Sequence, residues 1–277
     1  MKKSQIATFF VIGLVVIILV GMVIYFTSWS TKRQGQKNVK ITQQSTIRTQ
    51  PVSNFINLCL EKVAKDGLVL AGRQAGYIFT DQKGPQTLTI KFFDKDGYHV
   101  AYAIPLPNQD RLIDLNKGES FVNALSIQNQ LEVYINNTIE DCADFTVLEK
   151  QGFKIKRSGK NTYVKISDNG VAVNLHYPIE VTYLKTGDKA HYENFNVNIN
   201  AGLNKTYGVA NNMIGRNYES PSKITVANYQ ELPRIVITDE EVNTPGVKDQ
   251  LVVIKDSDTQ IKGQNYEFWF VKENWQP

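Results

Sequence analysis

The most informative chemical groups in this chain are its two cysteines, Cys59 and Cys142. They form no CxxC pair and no Cys/His cluster, which argues against a zinc site, and the sequence supplies no obvious partner base for a nucleophilic thiolate. Each cysteine falls on the apolar stripe of a predicted helix, so we predict a disulfide that joins two helices. A disulfide persists in an oxidising compartment, which fits an exported domain. Two buried free thiols in a cytosolic domain are the alternative interpretation.

The histidines show no arrangement that predicts catalysis or metal binding. The chain has three of them: His99, His176 and His191. His176 alternates with apolar neighbours, so it points away from the apolar face of its strand. We place the following turn at residues 187–188, which puts His176 opposite Ile199. On the same register His191 lies opposite Leu184, so the two histidines are not neighbours.

The clustered carboxylates also have a structural interpretation. Asp239, Glu240 and Glu241 adjoin a stretch typical of a loop, so we expect a solvated loop rather than a paired acid–base site. Residues 94–97 resemble the start of a calcium loop, but Pro105 stands where that loop needs its glutamate. The sequence contains no phosphate loop, dinucleotide-binding glycine pattern, nucleophile elbow or HExxH motif. We therefore assign no catalytic residue, no metal ligand and no cofactor.

The composition narrows the class of protein. Hydrophobic residues make up 42% of the 277 residues and charged residues 21%, which is ordinary for a globular chain and unlike a disordered one. The net charge is +4 with both signs spread along the chain. No basic block is dense enough to predict nucleic-acid binding. Plentiful Tyr, Asn, Val and Thr favour strands and surface turns over a helical bundle.

One uninterrupted apolar segment, residues 6–26, predicts a helix that spans a membrane. It carries no charge, and at about 1.5 Å rise per residue it spans roughly 30 Å, the hydrocarbon thickness of a bilayer. A cleaved secretory signal is the alternative, but its apolar region is usually about 7–15 residues long. The segment runs into Tyr25, Phe26 and Trp29, which suit a membrane–water interface. We therefore predict that the helix is retained as an anchor.

The start of the chain adds a second interpretation of this helix. Lys2 and Lys3 precede it and four basic residues follow within residues 32–40, so the flanking charges do not favour a cytoplasmic N-terminus. The first ten residues, MKKSQIATFF, resemble the class III signal of archaeal type IV pilin-like proteins. That resemblance implies that a prepilin peptidase cuts after Ser4 and leaves Gln5 as the new N-terminus. An uncleaved signal anchor is the alternative.

Helices are predicted after a polar stalk at residues 27–50. Pro51 suits a first helical position, and apolar residues recur after it at three- and four-residue spacing. Three glycines close this first helix: Gly67, Gly72 and Gly76. A second helix begins from a cap at Ser120 and carries an apolar stripe that ends at Cys142. A short third helix is expected at residues 203–214.

Antiparallel hairpins are predicted for much of the remainder. The strand pairs are residues 88–93 with 98–104, 163–166 with 171–177, 179–183 with 195–199, and 251–254 with 266–271. In the second pair, a two-residue turn at residues 169–170 places Ile166 opposite Val173. Val164 then lies opposite Leu175. Both pairs put apolar residues on one face, so the pattern and the turn agree on the register.

Four segments of the globular part are similar to segments of an uncharacterised family of membrane-anchored archaeal surface proteins. They are FINLCLEKVAKDGLVLAGRQAGYI, LEVYINNTIEDCADF, VAVNLHYPIEVT and IKGQNYEFWF. The family carries no assigned reaction, so the resemblance implies a location and not a chemistry. On an exported chain two triplets fit the N-glycosylation pattern, with Asn136 and Asn204 as acceptors.

The sequence predicts an α+β fold, with one N-terminal transmembrane helix followed by a mostly antiparallel β ectodomain that helices cover. The predicted parts are residues 1–26 (leader and membrane helix), 27–50 (stalk), 51–150 (helix–hairpin–helix subdomain) and 151–277 (β-rich subdomain). The favoured function is a membrane-anchored cell-surface structural or interaction protein, pilin-like if the signal is cut. Its expected partners are the membrane and other surface or filament subunits. A ligand-binding or sensory ectodomain is the alternative, and a surface hydrolase comes third.

Overall fold

The structure is a computed structural model that describes residues 46–79, 87–90, 97–101, 113–116, 126–216, 234–244 and 247–272. The described residues from Ile47 onward belong to one compact unit, and the predicted subdomain boundary at residues 150–151 falls inside it. Among the described residues, no helix is both long and apolar enough to cross a bilayer. The predicted anchor at residues 6–26, with Ser4 and Gln5 before it, lies outside the described residues.

The described part of the chain is a mixed α+β arrangement of helices and antiparallel strands. In chain order the elements are α1 (Thr46–Arg73), β1 (Thr87–Ile90), β2 (Tyr98–Ala101), α2 (Ile127–Cys142), α3 (Phe145–Lys150), β3 (Phe153–Arg157), β4 (Asn161–Ser167), β5 (Gly170–Tyr183), β6 (Asp188–Ile199), α4 (Leu203–Arg216), β7 (Ile235–Thr244), β8 (Val247–Ile261) and β9 (Gln264–Lys272). The strands form a β1–β2 pair, a four-stranded sheet of β3 to β6, and a three-stranded sheet in the order β7-β8-β9.

Helix α1 supplies one apolar face to the main core. As the spacing predicted, Val52, Ile56 and Leu60 are fully buried. The predicted start was wrong, because α1 is already helical at Thr46 and Pro51 lies inside it. A proline there lacks the N–H for one hydrogen bond along the helix, and the packing of the apolar face outweighs that loss.

Of the three glycines predicted to close α1, only Gly76 follows its end. The helix passes through Gly67 and Gly72 and ends at Arg73. A Cβ on Gly72 would collide with the carbonyl oxygen of Glu267, so this glycine allows α1 to approach β9 closely. After the helix, Ala75 and Gly76 have positive φ values of 57° and 93°, which turn the chain out of the helical direction.

The next two helices begin at polar caps. Ser126 caps α2, and its Oγ accepts a hydrogen bond of 3.0 Å from the backbone N–H three residues further on. This replaces the predicted cap Ser120, which lies outside the described residues. Asp144 caps α3 through a hydrogen bond of 2.9 Å to its carboxylate. The side-chain oxygens thus satisfy N–H groups that have no partner within the helix.

Strand β5 is the centre of the four-stranded sheet. Strand β6 runs along one side of it, and β4 and β3 follow each other end to end along the other. Val164 pairs with Val173, two residues away from the predicted partner, because the turn is at residues 168–169 and Ser167 pairs with Gly170. A shift of two residues keeps every side chain on its face, so the predicted apolar face of this hairpin is confirmed.

Strands β8 and β9 of the three-stranded sheet are buried on both faces. One face joins the main core, where the ring of Phe268 meets Tyr207 of α4 at a centroid distance of 5.9 Å. The other face carries a second, smaller core: Val100, Leu251, Val253, Trp269 and Val271. Arg73 packs at the edge of this smaller core, and the guanidinium carbon of Arg73 lies 5.0 Å from the ring centre of Trp269. The predicted last hairpin is therefore confirmed, and both of its faces pack.

Candidate binding surface

Cys59 of α1 and Cys142 of α2 form a disulfide, with their Cα atoms 5.5 Å apart. The predicted bridge between two apolar helix faces is confirmed. Cys59 is buried and Cys142 is partly exposed at the end of its helix. Because the two residues are 83 positions apart, the bond ties the first described helix to a distant part of the chain.

Near the end of α2, the side chains of Glu140, Tyr177 and Lys160 pair with one another. The hydroxyl of Tyr177 donates to Oε1 of Glu140 at 2.8 Å, and Nζ of Lys160 lies 2.9 Å from the same oxygen. Burial, and then the hydrogen bond to Glu140, raise the pKa of Tyr177 to about 12. The hydrogen bond from Lys160 is the main reason that the pKa of Glu140 is lowered. At neutral pH the tyrosine is therefore protonated and the glutamate ionised, which suits a structural pair and not a proton-transfer site.

A buried carboxylate, Asp256, supports the start of α4. Its Oδ1 accepts a hydrogen bond from Lys205 at 3.0 Å and its Oδ2 accepts one from Thr259 at 2.8 Å. The hydroxyl of Thr259 accepts in turn from the backbone N–H of Gly202 at 2.9 Å. These residues cap the helix from a neighbouring strand. Over the described ranges, no group of three or more His, Cys, Asp or Glu side chains is placed to hold a metal ion.

The predicted register of the histidines was wrong. His176 lies opposite Asn194, and His191 lies opposite Glu180. The cause is a longer loop, residues 184–187, together with a register shift between His176 and Ile179 that the sequence did not indicate. Nδ1 of His176 lies 3.1 Å from Oδ1 of Asn194, so this histidine contacts an amide and not a second titratable group.

The acidic run and the two glycosylation triplets lie in regular elements. Asp239, Glu240 and Glu241 belong to strand β7 and not to a loop, because they continue the pairing with β8. As β7 is an edge strand of its sheet, exposed charges there discourage pairing with another chain. Asn136 lies in α2, and its Oδ1 accepts a hydrogen bond from Thr162 at 3.4 Å. Asn204 lies in the first turn of α4 and its amide donates to Asp168.

The solvent-facing side of the four-stranded sheet carries an array of side-chain amides. Five exposed asparagines form it: Asn161 on β4, Asn174 on β5, and Asn194, Asn196 and Asn198 on β6. We call these residues the amide face. Asparagine is depleted in strands, so strand propensity does not account for five of them on one side of a sheet. The face exposes amide donors and acceptors to solvent.

An exposed aromatic ring stands within the amide face. The side chain of Tyr163 is 57% exposed and lies in a cross-strand row with Asn174 and Asn196. Its hydroxyl accepts a hydrogen bond from Nδ2 of Asn161 at 2.8 Å. This bond restricts the ring, so the surface offers a positioned aromatic plane beside polar amides.

A basic concavity of ≈ 390 Å³ lies on the same side of the sheet, beyond the irregular pairing of β5 with β6. Its polar lining residues are Lys154, Lys156, Glu180, Thr182, Lys189 and His191. Lys154, Thr182 and Lys189 form one cross-strand row. Within the described part of the chain, none of the three lysines has a carboxylate at ion-pair distance. The concavity thus presents a net positive charge, because its three lysines outnumber the carboxylate of Glu180 in the same lining.

Neither the amide face nor the basic concavity was predicted as a site. The signal available in the sequence was the alternation of Asn194, Asn196 and Asn198 within one strand. Because the predicted turn at residues 187–188 was misplaced, the sequence did not show which residues of β5 lie beside these asparagines. The lysines of the concavity come from strands β3 and β6, which only the sheet topology brings together.

Comparisons with known proteins add no transferable site. No family model matches this chain, and neither a curated protein nor a solved structure matches it. The surface is therefore interpreted from its own chemistry. An open polar face that offers hydrogen-bonding groups, one aromatic plane and a net positive charge is suited to binding an extended polar ligand.

Proposed function

We propose that this chain is a membrane-anchored cell-surface interaction protein that binds its ligand through the solvent-facing side of the four-stranded sheet. The observation that carries the proposal is the disulfide between Cys59 and Cys142. Structural disulfides persist in oxidising compartments and are rare in the cytosol. The predicted helix at residues 6–26 supplies the anchor, and the predicted stalk holds the globular part away from the bilayer.

The polar groups of the described residues favour binding over catalysis. Tyr177 and Asp256 take part in buried contacts that hold elements together. The amide face and the basic concavity instead expose their groups to solvent on one side of one sheet. Such a surface provides recognition without an enclosed reaction site.

A filament subunit is the second candidate function, and the similarity of MKKSQIATFF to the class III signal favours it. In that case a prepilin peptidase leaves Gln5 as the N-terminus, and copies of the chain assemble through their apolar helices. Terminal sequencing that finds Gln5, together with recovery of the chain in a filament fraction, supports this candidate. A terminus at Met1 or Lys2 removes the support from leader cleavage.

Protease treatment of intact cells tests the proposed location. We expect proteinase K to remove the part after residue 51, detected with an antibody against it, while a cytosolic marker stays intact. Lysed cells serve as the control, because they show that the folded part can be digested. If that part survives in intact cells and is digested only after lysis, the proposed location is wrong.

A further inference from the structure

We propose that the solvent-facing side of the four-stranded sheet binds an acidic polysaccharide, a linear chain of pyranose units that bear carboxylate groups. This inference rests on the proposed function, since it names the ligand of the same surface. Its basis is the placement of the amide face, an exposed tyrosine and a basic concavity along one strand direction of one sheet.

The amide face matches the hydroxyl groups of sugars. A primary amide offers an acceptor oxygen and two N–H donors, so one asparagine pairs with two neighbouring hydroxyls, each of which donates and accepts. Over the described residues, the side chains of Asn174, Asn196 and Asn198 make no hydrogen bond. Residues two apart in a strand repeat at roughly 6.6–6.8 Å, so these amides form a ladder of contacts for an extended chain.

The exposed ring gives the surface its apolar contact. A pyranose presents C–H groups on its faces, and these pack on an aromatic plane while the ring hydroxyls point outward to polar partners. Tyr163 lies between Asn161 and Lys165 along β4 and faces Asn174 across to β5. One sugar unit stacked on Tyr163 is therefore within reach of the neighbouring amides.

The basic concavity accounts for the acidic groups. Lys154, Lys156 and Lys189 lack an ion-pair partner over the described ranges and outnumber the lining carboxylate of Glu180, so a bound carboxylate adds a net favourable interaction without breaking an ion pair. The concavity and the amide face lie on the same side of β5 and are separated along it. The stretch from Ala172 to Thr182 spans roughly 30 Å, so a ligand that uses both must be extended.

Other macromolecules fit this surface less well. Single-stranded nucleic acids stack successive bases on several aromatic side chains, and Tyr163 is the exposed ring of this side as the structure describes it. A protein partner requires an apolar centre, and the described residues of the amide face are polar around that ring. The lysines would also attract an anionic lipid surface, but such a surface would not use the ladder of asparagine amides.

Binding measurements on the full-length chain in neutral phosphatidylcholine nanodiscs test the proposal. The probes are polygalacturonate, neutral dextran and phosphatidylglycerol vesicles, each followed by biolayer interferometry. We expect binding to polygalacturonate that weakens as salt is added, and binding to dextran at least about tenfold weaker. No binding to polygalacturonate would overturn the proposal, as would equal binding to the two polysaccharides.

Matched variants locate the contact. We expect Tyr163→Ala to weaken polygalacturonate binding about fivefold or more, and Tyr163→Phe to retain most of it, because the phenyl ring keeps the stacking plane. Lys189→Gln should weaken binding about threefold or more, whereas Lys62→Gln, at an exposed lysine of α1, should leave it unchanged. These are surface changes, so unfolding curves of the variants should match that of the wild type.

Two results would contradict the assignment of this surface. One is unchanged polygalacturonate binding in both Tyr163→Ala and Lys189→Gln. The other is binding to phosphatidylglycerol vesicles that depends on Lys189 while polygalacturonate does not bind, which would identify a lipid surface. A chain that proteases reach on intact cells but that binds no polyuronate overturns this inference and leaves the proposed function in place.

Discussion

At the scale of single residues, Gly72 marks the closest approach between α1 and β9. A Cβ at this position would collide with the backbone oxygen of Glu267 and crowd the hydroxyl of Tyr266. The side chain of Tyr266 is fully buried there and its hydroxyl donates to the carbonyl oxygen of Leu68 at 3.3 Å. The helix therefore cannot take a larger residue at position 72 unless one of the two elements moves.

We predict that Gly72→Ala lowers the free energy of unfolding by about 1–3 kcal/mol, because the added methyl group overpacks this contact. Gly208→Ala is the matched control: it lies in α4, and a Cβ there meets no atom within 4 Å. That change should raise the free energy of unfolding by about 0.4–1 kcal/mol by restricting the unfolded chain. Chemical denaturation of both variants measures the difference, and equal effects would contradict the close approach.

The ion pair of Glu140 makes a prediction about pH. Its pKa is lowered in the folded chain, first by the hydrogen bond from Lys160, so its contribution to stability is present above the ordinary value of 4.5 and is lost as the pH falls below it. Glu140→Gln should therefore be less stable than the wild type at pH 7, by about 0.5–1 kcal/mol because the pair is partly exposed. The difference should shrink below pH 4.5. An equal difference between wild type and Glu140→Gln at both pH values would contradict this role of the ion pair.

Single residues also show where the sequence could and could not be interpreted. The disulfide was predictable, because both cysteines lie on apolar stripes and the chain has no other cysteine. The burial of particular polar residues was not predictable. Glu132 is buried because its Oε1 accepts a hydrogen bond of 3.0 Å from the backbone N–H of Val164, and Gln130 accepts one of 2.6 Å from Ile78. Which distant backbone groups need a partner depends on tertiary packing.

At the scale of elements, hydrophobic periodicity predicted which segments are helices and which are strands. The errors in strand register came from misplaced turns. The face of the β4–β5 hairpin was right although its turn was displaced by one residue. Gly170, with a φ of 119°, pairs with Ser167 and packs against the backbone of Ile199, so it is not free to occupy the turn itself. That constraint comes from a third strand, β6, so the residue pattern of β4 and β5 alone cannot reveal it.

Edge protection is the second property that appears only at this scale. On the side of β4 that faces away from β5, the carboxylate of Glu132 in α2 accepts a hydrogen bond from the backbone N–H of Val164, and Asn136 accepts one from the side-chain hydroxyl of Thr162. The edge strand β7 carries Asp239, Glu240 and Glu241 instead. Both arrangements discourage pairing with another chain.

The disulfide gives a prediction at the scale of elements, because it joins α1 to α2. A bond between residues 83 positions apart restricts the unfolded chain, and the chain-entropy model gives roughly 4–5 kcal/mol for such a loop. We expect a reducing agent to lower the melting temperature of the chain markedly. The double variant Cys59→Ala with Cys142→Ala should melt at the lower temperature with or without reductant. If the wild type melts at one temperature in both conditions, the bond does not stabilise the fold.

At the scale of the whole molecule, the described residues from Ile47 onward form one compact unit, and the amide face and the basic concavity lie on one side of one sheet. The main core unites α1, α2, α4 and the inner faces of both larger sheets. The outer side of the four-stranded sheet is left polar, and its Asn-rich rows run against strand propensity. The described part of the molecule therefore combines a disulfide-linked apolar core with a polar sheet surface, on which we place the proposed ligand.

The redox state of the cysteines in living cells tests the central claim, export to an oxidising compartment, most directly. Cells are quenched with acid, free thiols are alkylated without reductant, and the chain is digested and examined by mass spectrometry. The account predicts a linked pair of peptides that contain Cys59 and Cys142, with no alkylated form of either. Complete alkylation of both cysteines before any reductant is added would contradict it, since the globular part would then lie in a reducing compartment.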